Sequence, residues 1–153
     1  MTQPSYPQRL TRHAAPGALL KRTPDEIQHT KQPKPDTKRD EAYLTLVRQC
    51  PCVKCGMEPP PNNEAAHVRM QSAAHGKRGG MRMKPADCWA LPLCPACHRT
   101  DKDAQHQIGE QLFWHIVGIN PLLLCERLYA ARGDFVRMRA TVIQAIAERG
   151  SQS

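Results

Sequence analysis

Cys52-Val53-Lys54-Cys55, Ala65-Ala66-His67-Val68 and Leu91-Pro92-Leu93-Cys94-Pro95-Ala96-Cys97-His98 are the pieces of sequence on which the fold turns. A C-x-x-C spacing lets two thiolates from one tight turn reach the same ion, and two such turns complete a tetrahedral Cys₄ set. We therefore expect Cys52, Cys55, Cys94 and Cys97 to hold one structural Zn²⁺. His67 lies between the pairs, His98 follows the second pair directly, and His106 comes a few residues later. These histidines make the zinc turns a scaffold for further chemistry.

Outward from that stretch the chain reads in order. Tyr43, Leu44, Leu46 and Val47 recur at helical spacing behind Asp40, a capping residue, and the pattern stops at Cys50-Pro51. A short helix should thus deliver the chain to the first zinc turn. Glu64 to Met70 reads as a strand, Ala66 and Val68 alternating with Ala65, His67 and Arg69, so His67 projects from one face. Residues 71–86, with Gly76, Gly79 and Gly80 among basic residues, form a loop or hairpin tip. Cys88 to Leu93 supplies the returning strand.

Beyond Cys97, Ile108, Leu112, Phe113, Ile116 and Val117 make the apolar stripe of a helix that ends at Gly118. Asn120-Pro121 combines a cap with proline at the first helical position, opening a helix that Gly133 closes. Asp134 caps a last helix carrying Phe135, Met138, Val142 and Ile146. The expected class is α+β. A flexible basic arm spans residues 1–39, a zinc-bound domain residues 40–118, and helices packing on it residues 119–153.

Composition supports a metal-dependent fold. In 153 residues only 40% are apolar and 5% aromatic, with 14 prolines, so the hydrophobic core is small for the length. Seven cysteines, an odd number with four in metal-type pairs, argue against a secreted disulfide framework. There is no apolar run of about 20 residues and no signal-peptide core, which gives a soluble protein of a reducing compartment and no membrane partner. The formal net charge is +8 with a pI near 9.4. Between Ala66 and Pro85, Arg69, Lys77, Arg78, Arg82 and Lys84 occur without a single acid. A field of that sign attracts nucleic acid, whereas solubility alone needs no such clustering.

The order helix, C-x-x-C turn, His-bearing strand, loop, returning strand, C-x-x-C-H and helix resembles the treble-clef ββα-metal unit of the HNH endonuclease superfamily, in particular its small phage and prophage members. The likeness covers about residues 41–131. It is carried by Cys52 and Cys55, Ala66-His67-Val68, Lys84-Pro85-Ala86-Asp87, Leu91 to His98, His106-Gln107-Ile108-Gly109 with Phe113-Trp114, and Gly118-Ile119-Asn120-Pro121. The resemblance implies metal-dependent hydrolysis of DNA phosphodiester bonds in the cytoplasm of a bacterial host, with DNA and a phage or host recombination protein as partners.

Phosphodiester hydrolysis needs a base to activate water and a cation to stabilise the charge that develops at phosphorus and on the leaving oxygen. An imidazole can accept a water proton at neutral pH, which makes His67 the candidate base. By the resemblance, His98 would be a ligand of a divalent ion such as Mg²⁺ or Mn²⁺, with His106 the best remaining candidate. Asp87 could either hydrogen-bond His67 or bind metal.

The plainer alternatives are that His98 serves the zinc site, that His106 caps the following helix, and that Cys50 competes with Cys52. His13, His29, His75 and His115 have no motif around them, and Cys88 and Cys125 read as packed thiols. The chain departs from the family pattern at Ala66, where many members carry Asp or another ligand, and in having no Asn between His67 and Cys94. The competing classes are a non-catalytic zinc-stabilised nucleic-acid-binding module and an adaptor that uses the C-terminal helices.

Overall fold

A computed structural model describes residues 39–78 and 84–150. The expected arm, apart from Arg39, and Arg82 lie outside the described residues. The first helix, α1, runs Glu41–Arg48 and buries Tyr43, Leu44 and Val47. It starts where the Asp40 carboxylate accepts the Tyr43 N–H at 3.0 Å, satisfying one of the donors that a helix N-terminus leaves without a partner. At the other end Cys50 N–H closes on the Val47 carbonyl at 3.0 Å, and Pro51 stops the ladder.

Strands β1 (Glu64–His67) and β2 (Ala90–Leu93) pair antiparallel, with Glu64 opposite Leu93 and His67 opposite Ala90. β1 is shorter than the expected Glu64–Met70. Val68 still donates to the Trp89 carbonyl, but the Arg69 N–H turns to the Glu110 carboxylate, at 2.8 and 2.9 Å from its two oxygens. A side chain from a later helix thus ends the ladder. The returning strand is also shorter, because Asp87–Trp89 forms a 3₁₀ turn before β2 begins.

After the second cysteine pair the chain makes a π-helical turn over Ala96–Thr100. The single helix expected through Ile108 and Val117 is two: α2, Gln105–Ile108, and α3, Glu110–Val117. Gly109 separates them with φ 85° and ψ 150°, a conformation essentially reserved for glycine. α4 spans Pro121–Ala130, and the Asn120 side chain accepts the Leu122 and Leu123 N–H groups at 3.1 and 3.2 Å. α5 spans Phe135–Gly150, with Asp134 accepting the Arg137 N–H at 3.0 Å.

One buried cluster joins these elements. Val47 and Tyr43 of α1, Leu91 and Leu93 of β2, Phe113 of α3, Leu128 of α4, and Met138 and Val142 of α5 all belong to it. The last two helices therefore share the core that carries the cysteine turns. Among the described residues no helix is long and apolar enough to cross a membrane.

Candidate metal centre and histidine pairs

Four hydrogen bonds to the backbone fix the first cysteine turn, and one of them, from Val53, ties it to the strand that leads to the second. Val68 N–H bonds to Trp89, and antiparallel hydrogen bonds alternate, so Pro92 falls where backbone groups face away from β1. Its missing N–H costs nothing there, while its carbonyl accepts the Val53 N–H at 2.9 Å. Buried Asn63 donates from Nδ2 to the Cys50 carbonyl at 2.7 Å and to that of Met57 at 3.2 Å. Arg149 of α5 donates to the Val53 carbonyl at 2.9 Å.

The result is a cluster in which the Sγ atoms of Cys52, Cys55, Cys94 and Cys97 all lie within 4.8 Å of one another. A 2.3 Å zinc–sulfur bond in a tetrahedron sets sulfurs about 3.8 Å apart; Cys55 and Cys94 are separated by 3.7 Å. The four thiols fit a metal ion such as zinc. Burial pushes the Cys52 thiol up to about 11 and raises Cys97 as well. A bound cation supplies the charge that stabilises such ligands as thiolates. Cys50 is not a competitor, since its thiol turns back to the Leu46 carbonyl at 3.4 Å. Cys125 is fully buried, as expected of a packed thiol.

Two histidine–carboxylate pairs lie on the sheet and the turns that follow it. His67, the last residue of β1, places Nε2 at 3.1 Å from Oδ1 of Asp87, which is only 1% exposed. His98, in the π-helical turn, places Nδ1 at 2.6 Å from Oε2 of Glu64, the first residue of β1, and Arg99 pairs with the other oxygen of that carboxylate. His98 also meets His106 ring edge to ring face, with centroids 4.5 Å apart. Burial lowers the His98 pKa, with Glu64 opposing and His106 adding to the shift. That favours the neutral ring, the form able to ligate a metal.

Asp87 thus hydrogen-bonds the candidate base, one of its two expected roles. His98 and His106 come together as expected, but His67 does not join them at ligating range. Among the described residues the Cys₄ set is the only group of three or more Cys, His, Asp or Glu side chains close enough to share an ion. Glu64 did not stand out in the sequence. The only available signal was an acid at the start of the strand that carries His67.

The basic residues divide. Arg69, Arg78 and Lys84 are exposed. Lys77, expected to contact nucleic acid, is 7% exposed, donates from Nζ to the Met70 carbonyl at 2.6 Å and lies over the Trp89 ring. Burial lowers its pKa. The expectation is corrected here, because an ammonium folded into its own loop is not presented to a phosphate.

No curated protein and no solved structure matches the chain. A family model described as protein of unknown function (DUF968) matches residues 21–120, which take in the four cysteines, His67, Asp87, Glu64, His98 and His106, and the chain belongs to that family.

Proposed function

We propose that the protein is a metal-dependent DNA endonuclease of HNH type, built on a treble-clef ββα-metal fold that a structural zinc stabilises. The observation that carries this reading is His67 held at 3.1 Å from the buried Asp87 carboxylate. A water-activating base needs a nitrogen free to take a proton and a third group to orient the ring. His98 fits the role of a ligand to a divalent ion such as Mg²⁺ or Mn²⁺, because Glu64 braces its Nδ1 and Nε2 remains for the ion. When bound, that cation would supply charge stabilisation at the phosphate. Exposed Arg69, Arg78 and Lys84 are suited to holding the DNA backbone. A phage or prophage origin, and work beside a phage or host recombination protein, go with the resemblance to small HNH proteins.

A second reading, a non-catalytic zinc-stabilised nucleic-acid-binding module, is favoured by one observation. No third Cys, His, Asp or Glu among the described residues completes a metal cluster with His98 and His106. A panel of divalent ions on single-stranded, duplex and branched DNA separates the two. We expect metal-dependent cleavage that His67→Ala reduces by roughly 10²–10⁴-fold, with zinc content and DNA binding retained. If His67→Ala cleaves as fast as the parent in preparations cleared of host nucleases, the enzyme reading fails.

A further inference from the structure

An imidazole acts as a base only through the ring nitrogen that carries no hydrogen. At His67 the surroundings select that nitrogen. Asp87 lies 3.1 Å from Nε2, and its carboxyl is held below its ordinary range: burial alone would raise it, but the Asp40 amide and His67 outweigh burial. An ionised carboxylate can only accept, so the hydrogen in this contact belongs to Nε2.

The second oxygen of Asp87 is also committed. Oδ2 accepts the backbone N–H of Asp40 at 2.9 Å. Asp40 is itself fixed on several sides. Its Oδ1 caps α1 through the Tyr43 N–H, its Oδ2 accepts the Tyr129 hydroxyl of α4 at 3.3 Å, and its carbonyl accepts the Leu44 N–H at 3.1 Å. A run of hydrogen bonds therefore leads from α4 through the head of α1 and the 3₁₀ turn to the end of β1.

We infer that Asp87, oriented by the Asp40 amide, is a positioning residue that fixes His67 as the Nε2–H tautomer and leaves Nδ1 as its free basic nitrogen. The inference deepens the nuclease reading and rests on it only for what Nδ1 does in cleavage. The Asp40 amide makes the arrangement directional. If asparagine stood at position 87, its single oxygen would turn to the Asp40 N–H and its amide nitrogen to His67. That amide would donate to Nε2, move the ring hydrogen to Nδ1 and remove the free base.

The test is the pattern of ¹⁵N shifts of the His67 ring in the full-length, zinc-loaded protein, at a pH where the ring is neutral. We expect Nε2–H in the parent and Nδ1–H in Asp87→Asn. Where cleavage is measurable, the variant should lose roughly 10²–10⁴-fold and no more than His67→Ala itself. An Nδ1–H ring or an even mixture in the parent overturns the inference, and so does an unchanged tautomer in Asp87→Asn. The parent spectrum decides the matter even if the variant fails to fold. A tautomer switch in a protein that cleaves no DNA would uphold the positioning role and reject the nuclease.

Discussion

Lys77 and Arg78 are neighbours in sequence with opposite fates, one folded under its loop and the other exposed. Each phosphate contact that releases counterions adds about 0.9 to the slope of log affinity against log salt. Arg78→Ala and Lys84→Ala should each flatten that slope for duplex DNA. Lys77→Ala should leave it unchanged and lower the melting temperature, because its contacts are with Met70 and Trp89. Charge in a sequence reports a field, not which ammonium is free, so this distinction was not legible in advance. The contact between His67 and Asp87 was more so, since Asp87 was expected either to hydrogen-bond His67 or to bind metal. Asp87 also gives a pH prediction. Its folded pKa is depressed, so its contribution is present above the unfolded value near 3.9 and lost as pH falls through the folded one. The gap in melting temperature between parent and Asp87→Asn should close as pH falls below about pH 4, as a circular dichroism series would record.

Caps and periodicity made the helices legible: Asp40, Asn120 and Asp134 each stand at a helix start, as their side-chain chemistry demands. What local pattern missed was set by distant partners. β1 stops early because Glu110, forty-one residues on, takes the Arg69 amide. The expected helix after Cys97 breaks at Gly109, although the apolar stripe runs through the break from Ile108 to Leu112. A Cβ at Gly109 would meet nothing within 4 Å, so any cost of Gly109→Ala is backbone strain alone. Urea denaturation should find the variant less stable by about 1–3 kcal/mol. An unaltered midpoint would mean that α2 and α3 can join without the turn.

For the whole molecule, the cysteine spacing picked out the four thiols that could hold a metal ion, but the contacts that gather them belong to the tertiary fold and left no local trace. The clearest measurement is metal analysis, with zinc expected in stoichiometric amount. Stripping it with a chelator, or Cys94→Ser, should lower the melting temperature. Structural zinc contributes roughly 10–16 kcal/mol in small peptides, where the ion does nearly all the ordering. Here part of that work is done without it. Val53 is bonded through its N–H to Pro92 and through its carbonyl to Arg149, and Asn63 secures the backbone at Cys50 and Met57. In the terms of coordination chemistry these bonds preorganise a chelator: the Val53–Pro92 bond holds the first bidentate arm against the strand that leads to the second, which lowers the entropy an ion must overcome to gather the four thiols. Zinc taken up by the folded chain should therefore dissociate more slowly than from a peptide holding either C-x-x-C turn alone, and reloading should not have to wait for refolding.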